Sequence, residues 1–264
     1  MPRYSANLSF LFGELPFLDR IDAAAQSGFR GVEYASPYEH DVAEIKRRLR
    51  AGGLEQVLFN LPHGDAAAGE RGYASDPNRV DEFRRGVASA IAIAGELNCS
   101  RINCLTGIAI PGLEPGLARE TLVANLHFAA RGLAEARITL LVEPLNRIDT
   151  PGFLIGTTAE ALALIDAVGA PNLKLQYDCY HAQRSEGNLI ATLQAQIARI
   201  GHVQIADSPY RNEPGTGELA YERILPALDA LGYEGWVGLE YKPSRSTLES
   251  LSWLDALRPH EVAS

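Results

Sequence analysis

Cysteine is scarce in this chain of 264 residues, and the three that occur, Cys99, Cys104 and Cys179, have no CxxC spacing. An odd number of cysteines cannot all pair within one chain, so a disulfide framework is excluded and a reducing compartment is favoured. Cys179 directly follows Asp178 and could serve as a nucleophile. A small apolar neighbour within a strand is the more frequent role of such a residue, and we expect that role.

Long hydrophobic runs and an excess of positive charge are also missing. No uninterrupted apolar run reaches membrane-spanning length, and no basic segment with an apolar stretch behind it opens the sequence. The formal net charge of −9 argues against nucleic acid or an anionic membrane as a partner. We therefore expect a cytoplasmic protein that acts on a small molecule. Its oligomeric state stays open, and a homo-oligomer is compatible with the sequence.

Short apolar runs alternate with helix-length segments along the whole chain. Eight runs are predicted strands: Tyr4–Phe10, Gly31–Ala35, Gln56–Leu61, Arg101–Leu105, Thr139–Leu145, Leu173–Asp178, His202–Ala206 and Trp236–Tyr241. Because no linker or change of composition interrupts this alternation, we predict an α/β fold with one domain over residues 1–264, a single (β/α)8 TIM barrel. A doubly wound open sheet is the alternative, but no GxGxxG follows the first strand.

Helical patterns fill the intervals between these runs. Phe17–Gln26 carries apolar residues at helical spacing, and a longer pattern covers Arg79–Leu97. Thr158 is predicted to open a helix over Ala159–Val168, and Ser185 to open the helix after the sixth strand.

The longest irregular segment is Pro62–Asn78, directly after the third strand. In a barrel this position lies at the C-terminal mouth, where such enzymes keep their active sites. Loops of this length in a compact domain are more often functional than idle. The segment is therefore predicted to be a lid or a substrate-facing loop, with Glu70 as a candidate substrate-binding residue; a glycine-rich surface excursion is the alternative.

Four successive apolar runs each close on an acidic or amide side chain: Glu143, Asp178, Gln204 and Glu240. A carboxylate is costly to bury unless its charge is compensated. The carboxyl ends of parallel strands meet at one end of a barrel, and an all-oxygen set of ligands suits Mg²⁺ or Mn²⁺ rather than Zn²⁺. A single strand-end glutamate is commonly a salt-bridged rim residue. The prediction of a divalent metal site therefore depends on all four sharing one position.

Sequence motifs are spread along nearly the whole chain and include Gly28-Phe-Arg-Gly-Val-Glu, Phe59-Asn-Leu-Pro, Val142-Glu-Pro-Leu-Asn, Gln176-Tyr-Asp-Cys-Tyr-His and Trp236-Val-Gly-Leu-Glu-Tyr-Lys-Pro. Together they resemble the motifs of the hydroxypyruvate isomerases, within the xylose-isomerase-like barrel superfamily of sugar isomerases and epimerases. The resemblance implies an aldose–ketose type isomerase that acts on a small hydroxy or keto acid. It also implies that Glu143 and Glu240 are the catalytic acid/base pair in addition to being metal ligands.

Several further residues are candidates for binding the substrate. The resemblance places His181 near the substrate oxygens. Arg211 and Lys242 are candidates for holding a substrate carboxylate, although rim salt bridges use the same residue types. Asp149 stands where several epimerases of the superfamily carry a substrate-contacting glutamate, and its shorter reach puts that contact in doubt. His202 has the inward parity of Gln204 but lies deeper, so we expect it to be buried and hydrogen-bonded.

The leading hypothesis is interconversion of hydroxypyruvate and tartronate semialdehyde through an enediolate. Moving a carbonyl between adjacent carbons requires an acid/base pair and stabilisation of the negative charge that develops. A 2-oxo-tetronate isomerase, whose substrate is one carbon longer, is the near alternative. A metal-dependent nuclease would need several His ligands and a basic groove, which this acidic chain lacks. A non-catalytic sugar-acid-binding protein would not need two opposed carboxylates.

Overall fold

A computed structural model describes residues 2–256 of the chain, and in it eight parallel strands pair in chain order and close into a barrel. The strands are β1 Arg3–Asn7, β2 Gly31–Glu33, β3 Glu55–Asn60, β4 Arg101–Cys104, β5 Thr139–Val142, β6 Leu173–Asp178, β7 Ile200–Ile205 and β8 Trp236–Leu239. β1 pairs with both β2 and β8, which leaves no free edge. The predicted (β/α)8 barrel is confirmed. Met1 and residues 257–264 of the predicted domain lie outside the described residues.

The helices lie between the strands and after the last one. They are α1 Phe17–Gln26, α2 Val42–Gly52, α3 Val80–Leu97, α4 Pro115–Glu135, α5 Thr158–Val168, α6 Cys179–Ser185, α7 Leu189–Gln196, α8 Tyr221–Ala230, α9 Thr247–Ser250 and α10 Trp253–Ala256, with 3-10 turns at Pro77–Arg79 and Ile197–Arg199. No helix within residues 2–256 is long and apolar enough to cross a membrane.

Two of the predicted helix starts are wrong. The side chain of Thr157, rather than Thr158, caps α5 by accepting a hydrogen bond from the N–H of Glu160. Ser185 ends α6 instead of opening a helix. The chain passes from β6 into α6 without a loop, so no turn residue marks the start, and Cys179 is the first residue of this helix rather than part of a strand.

A small cluster of buried side chains closes the lower end of the barrel. Val57 and Leu58 of β3 pack with Leu141 of β5 and Trp236 of β8. These strands are not neighbours, so the side chains meet inside the barrel. Gly31 makes room for them, because a Cβ at this position would lie 2.8 Å from Val57 and 2.9 Å from the Trp236 ring. The interior is therefore apolar below and leaves its polar groups to the upper end.

We expect Leu141→Ala to lower the free energy of unfolding by about 2–5 kcal/mol, because it leaves a cavity in a close-packed interior. Urea denaturation followed by circular dichroism measures the change. Leu117→Ala is the control, since Leu117 is 45% exposed and should change stability by less than about 0.5 kcal/mol. Equal effects of the two substitutions would contradict this account of the interior.

Candidate active site

The four strand-end residues predicted to hold a metal ion all lie at the C-terminal end of the barrel. Glu143 and Glu240 are the first residues after β5 and β8, Asp178 is the last residue of β6, and Gln204 is the last but one of β7. Asp178 and Gln204 are directly paired in the β6–β7 register. Glu143, Asp178 and Gln204 are buried, and the side chain of Glu240 is 15% exposed.

A hydrogen-bonded amide links two of these residues. The Nε2 group of Gln176 donates to Oε2 of Glu143 at 2.9 Å and to Oε1 of Gln204 at 2.7 Å. Gln176 precedes Asp178 by two residues on β6, so it lies one inward position deeper in the barrel. Gln176 thereby fixes the spacing between Glu143 and Gln204 from below.

Asp178 is held by the start of the helix that follows it. Its Oδ1 accepts a hydrogen bond from the backbone N–H of Tyr180 at 2.8 Å, so the same side chain caps α6. The other oxygen, Oδ2, remains on the side of Arg211, whose Nη2 lies 3.4 Å away.

Arg211 is the cation that the structure places against this carboxylate cluster. Its Nη2 also lies 3.3 Å from Oε1 of Glu240, and its guanidinium lies between the rings of Phe10 and Tyr180, at 4.9 and 5.1 Å from their centroids. One arginine balances only part of the charge of three carboxylates. The site therefore favours protons or a further cation.

Burial is the main cause of the shifted pKa values in the cluster. It raises the pKa of Glu143 well above the usual range, and the charges of Glu240 and Asp178 raise it further. Burial raises the pKa of Asp178 although Arg211 opposes the shift. The pKa of Glu240 is raised to about 8 by burial, with Arg211 opposing and Asp178 adding to the shift.

Two carboxylate oxygens in the cluster are buried and have no hydrogen-bond partner. They are Oε1 of Glu143 and Oε2 of Glu240. Both residues line a cavity of about 60 Å³ together with Gln176 and Gln204. Carboxylate and amide oxygens around one small space are the donor set that hard divalent cations prefer, so the residues present fit such an ion.

His181 completes a compact acid–histidine set with Glu143 and Asp178, whose ligand atoms all lie within 4.8 Å of one another. Burial lowers the pKa of His181 well below its usual value, so the ring is neutral. Its Nδ1 accepts the backbone N–H of Asn146 at 3.1 Å, which leaves the proton on Nε2. The Nε2 group lies 3.7 Å from Asp178 and has no other partner. His181 is therefore arranged as a hydrogen-bond donor and not as a metal ligand.

Glu70 and Lys242 lie apart from this network. The Glu70 carboxylate forms an ion pair with Arg79 at 2.5 Å and accepts a hydrogen bond from the N–H of Asp65. It therefore stabilises the loop after β3 internally and connects it to the 3-10 turn that ends at Arg79. Lys242 is exposed, and its backbone N–H donates to the carbonyl of Arg211. No hydrogen bond among the described residues joins either side chain to the strand-end cluster. Their role in substrate binding stays a prediction.

Asp149 has partners that explain its position without a substrate. It accepts hydrogen bonds from the Tyr180 hydroxyl at 2.5 Å and from Asn146 at 3.1 Å, and it lies 3.4 Å from Arg184. The residue thus anchors the loop after β5 to α6.

Sequence reasoning missed Glu33, which is fully buried at the end of β2. Burial by itself would raise its pKa, but the interaction with His202 and hydrogen bonds from His202, Gln204 and Ser5 lower it below the ordinary value. His202 is fully buried and lies 2.9 Å from the Glu33 carboxylate, as its predicted buried, hydrogen-bonded role requires. The sequence did contain one indication of Glu33, because this residue ends an apolar run in the same way as the four predicted ligands.

Two larger cavities differ in where they lie relative to the cluster. One of about 840 Å³ lies at the N-terminal ends of the strands, lined by Arg3, Glu55 and Trp236 among others, which is the end opposite to the active sites of barrel enzymes. Another, of about 890 Å³, lies beside the loop after β3 and shares Ser9, Tyr34 and Ala35 with the small cavity. The second is in a position to serve as the approach to the site.

Comparison with known proteins identifies the family. Residues 21–257 match the family described as xylose isomerase-like TIM barrel. The chain belongs to this family. The resemblance inferred from the motifs is thereby confirmed.

Curated relatives are similar to the chain over almost their entire length. It is 51% identical to the hydroxypyruvate isomerase of Escherichia coli (strain K12), with 98% of this chain and 100% of the relative aligned. It is 46% identical to the 2-oxo-tetronate isomerase of Cupriavidus necator, with 96% and 98% aligned. These are the two activities weighed from the sequence, and the higher identity is to the first.

A solved structure from Brucella melitensis, described as an AP endonuclease of family 2, superposes with a TM-score of 0.94. It is 44% identical to this chain and covers 98% of it, with 100% of that chain aligned. A D-psicose 3-epimerase from Clostridium cellulolyticum superposes with a TM-score of 0.80 at 19% identity, which shows a common fold alone.

We expect Glu240→Gln to stabilise the protein at pH 9 and to have little effect at pH 5 when divalent ions are removed with EDTA. An acid with a raised folded-state pKa binds more protons when folded, so its contribution to stability is lost as the pH rises between its unfolded value and about 8. The thermal midpoint should therefore be a few degrees higher than wild type at pH 9 only.

Glu160→Gln is the control for this experiment, because Glu160 is a half-buried carboxylate outside the cluster that is paired with Arg147. It should give no gain at high pH. A Glu240→Gln effect on the thermal midpoint that is the same at pH 5 and pH 9 would contradict the raised pKa of Glu240.

Proposed function

We propose that the protein is a hydroxypyruvate isomerase, which interconverts hydroxypyruvate and 2-hydroxy-3-oxopropanoate (tartronate semialdehyde). The observation that carries the proposal is the pair of buried, unpartnered carboxylate oxygens of Glu143 and Glu240 beside one small cavity. The 51% identity to a curated hydroxypyruvate isomerase supports the choice of substrate.

Glu143 and Glu240 would act as the acid/base pair. The reaction removes a proton from one carbon of the substrate and delivers a proton to the neighbouring carbon, through an enediolate. The hydroxyl proton of the first carbon passes to the oxygen that was the carbonyl. Burial raises the pKa of both carboxyl groups, whereas a cation held by them would lower it again and would also acidify the carbon next to the substrate carbonyl. Two such groups beside one cavity can exchange protons with a substrate held between them.

Glu143, Asp178, Gln204 and Glu240 would hold a divalent ion, with Mg²⁺ or Mn²⁺ as the best match to the oxygen donors. When bound, the ion would act as a Lewis acid that stabilises negative charge on the substrate oxygens. His181 would donate its Nε2 proton to a substrate oxygen. Arg211 would contact the substrate carboxylate, since its fork of donors suits a planar anion.

The proposal also includes the predictions on further substrate-binding residues, on the cellular compartment and on partners. Glu70 and Lys242 would contact the substrate only if the loops that carry them move toward the cavity. The three buried free cysteines support a reducing compartment, and we propose the cytoplasm. We also propose that the protein binds neither nucleic acid nor a membrane. A homo-oligomer is compatible with the sequence, and light scattering measures the oligomeric state.

A 2-oxo-tetronate isomerase is the second candidate. It is favoured by the 46% identity to such an enzyme and by the larger cavity that adjoins the site and has room for a fourth carbon. Measuring kcat/KM for both acids with one enzyme preparation separates the two candidates. We expect hydroxypyruvate to be preferred, and a clear preference for the longer acid would reverse the assignment.

We expect Glu143→Gln and Glu240→Gln each to lower kcat by about 10²–10⁴-fold while the circular dichroism spectrum is unchanged, because an amide cannot transfer the proton. Glu160→Gln serves as the matched surface control and should keep wild-type turnover. In D₂O the product should carry deuterium at carbon. Unlabelled product in D₂O would instead indicate a hydride shift. Full turnover by either variant would show that the substituted residue does not belong to the acid/base pair.

We expect turnover to be lost on dialysis against EDTA and restored by Mg²⁺ or Mn²⁺. The physical reason is that the carboxylates alone cannot stabilise the additional negative charge of an enediolate. A coupled spectrophotometric assay measures the recovery. Full activity in the presence of EDTA, with metal content verified by mass spectrometry, would contradict a metal-assisted mechanism.

A further inference from the structure

Glu33 contacts one of the proposed metal ligands from inside the barrel. Its Oε1 accepts a hydrogen bond from Nε2 of Gln204 at 2.8 Å. The Oε2 atom accepts from the Ser5 hydroxyl at 2.7 Å and lies 2.9 Å from Nε2 of His202. A fourth group, Nδ2 of Asn7, donates to Oε1 at 3.2 Å. The carboxylate is therefore surrounded by donors on both oxygens.

A glycine on β8 leaves the space that the Glu33 carboxylate occupies. Gly238 faces it from β8, and a Cβ at that position would come within 2.2 Å of Oε1 and 2.6 Å of Cδ. The acidic group is thus held by the packing of β8 as well as by its hydrogen bonds. It has little freedom to turn away from Gln204.

A primary amide has two ends of nearly equal shape, and their chemistry decides its orientation. A carboxylate accepts hydrogen bonds and offers no proton, so Glu33 holds the NH₂ end of Gln204. The carbonyl end then lies on the opposite side, where it accepts from Gln176 at 2.7 Å and keeps a second lone pair. In the reverse orientation two oxygens would face each other without a proton between them.

We propose that Glu33 is a positioning residue, which holds the nitrogen of the Gln204 amide so that its oxygen lies beside Gln176 on the side of Glu143 and can serve as a ligand. This inference rests on the proposed function only in that Gln204 is one of the ligands. Glu33 itself would touch neither the ion nor the substrate.

Glu33→Gln tests the proposal because the direction of its effect follows from the geometry. Ser5 and His202 lie 2.7 and 2.9 Å from Oε2, whereas Oε1 has Gln204 at 2.8 Å and the more distant Asn7 at 3.2 Å. The new carbonyl should therefore turn to Ser5 and His202, and the new NH₂ group should face Gln204. The Gln204 amide would then have to turn over to avoid a contact between two NH₂ groups. An N–H would replace the oxygen ligand.

We expect Glu33→Gln to weaken Mn²⁺ binding by about 10–100-fold, as is common when a group that orients a metal ligand is lost. Isothermal titration calorimetry measures the affinity, and the electron paramagnetic resonance signal of free Mn²⁺ measures it independently. The control is Glu213→Gln. Glu213 is also a buried carboxylate, but it accepts hydrogen bonds from Ser244 outside the barrel, so this variant should bind Mn²⁺ within about threefold of wild type.

The double variant Glu33→Gln with Gln204→Glu separates orientation from general damage to the fold. It reverses the direction of the hydrogen bond and keeps the total charge, so position 204 again offers an oxygen to the ion. We expect Mn²⁺ affinity to return to the wild-type value or above it. Gln204→Glu alone should be worse than the double variant, because two carboxylates would lie in direct contact.

The outcomes of these measurements are distinct. Wild-type affinity in Glu33→Gln, or no recovery in the double variant, would overturn the positioning role. If Glu33→Gln fails to fold, the comparison of the double variant with Gln204→Glu decides the question. Failure of the wild-type protein to bind Mn²⁺ would instead overturn the proposed metal site. Binding without isomerase turnover would leave the positioning role intact and overturn the proposed reaction.

Discussion

The rest of the site depends on the cost of placing carboxylates inside a closed barrel. Transfer of an ionised carboxylate from water into a protein interior is unfavourable unless hydrogen bonds or opposite charges compensate it. Glu33 receives such compensation from donors on both of its oxygens. Glu143, Asp178 and Glu240 have Arg211 as a shared cation, and two of their oxygens have no partner. The folded chain itself compensates the charge of Glu33. The charges of the other three carboxylates are compensated only in part, and a bound ligand can supply the rest.

These differences follow the axis of the barrel. Apolar side chains around Leu141 and Trp236 fill the lower end, Glu33 and His202 form a hydrogen-bonded layer above them, and the unsatisfied carboxylates lie at the mouth. An apolar floor excludes water from below and keeps the local dielectric low. Electrostatic interactions between the mouth residues and a bound ion or substrate are strengthened for the same reason.

The barrel by itself does not define the reaction. Proteins with this fold that are under 25% identical to the chain share the arrangement of strands, and the same scaffold supports different chemistries. The distinguishing features are local. The Gln204 amide lies beside the carboxylates, burial lowers the pKa of His181 while its Nδ1 accepts a backbone N–H, and the cavity beside Glu143 and Glu240 is small. Each of these features restricts which substrate atoms can be held.

Much of the fold and part of the site could be predicted from the sequence. Buried parallel strands are continuous apolar runs, so all eight were found, and the carboxyl ends of such strands meet at one end of a barrel. That rule was enough to bring Glu143, Asp178, Gln204 and Glu240 together. It failed for α6, because Asp178 ends a strand and caps the next helix without an intervening turn.

By itself, the sequence determined which residue types stand at the strand ends, since hydrophobic periodicity and chain order are written in it directly. Only the tertiary structure decided which of their atoms are already occupied. Glu33 and His202 are 169 residues apart and meet because the barrel closes, and the tautomer of His181 follows from a backbone N–H 35 residues away. Hydrogen bonds are directional and short, so their partners are set by the three-dimensional placement of distant segments, which no local pattern encodes.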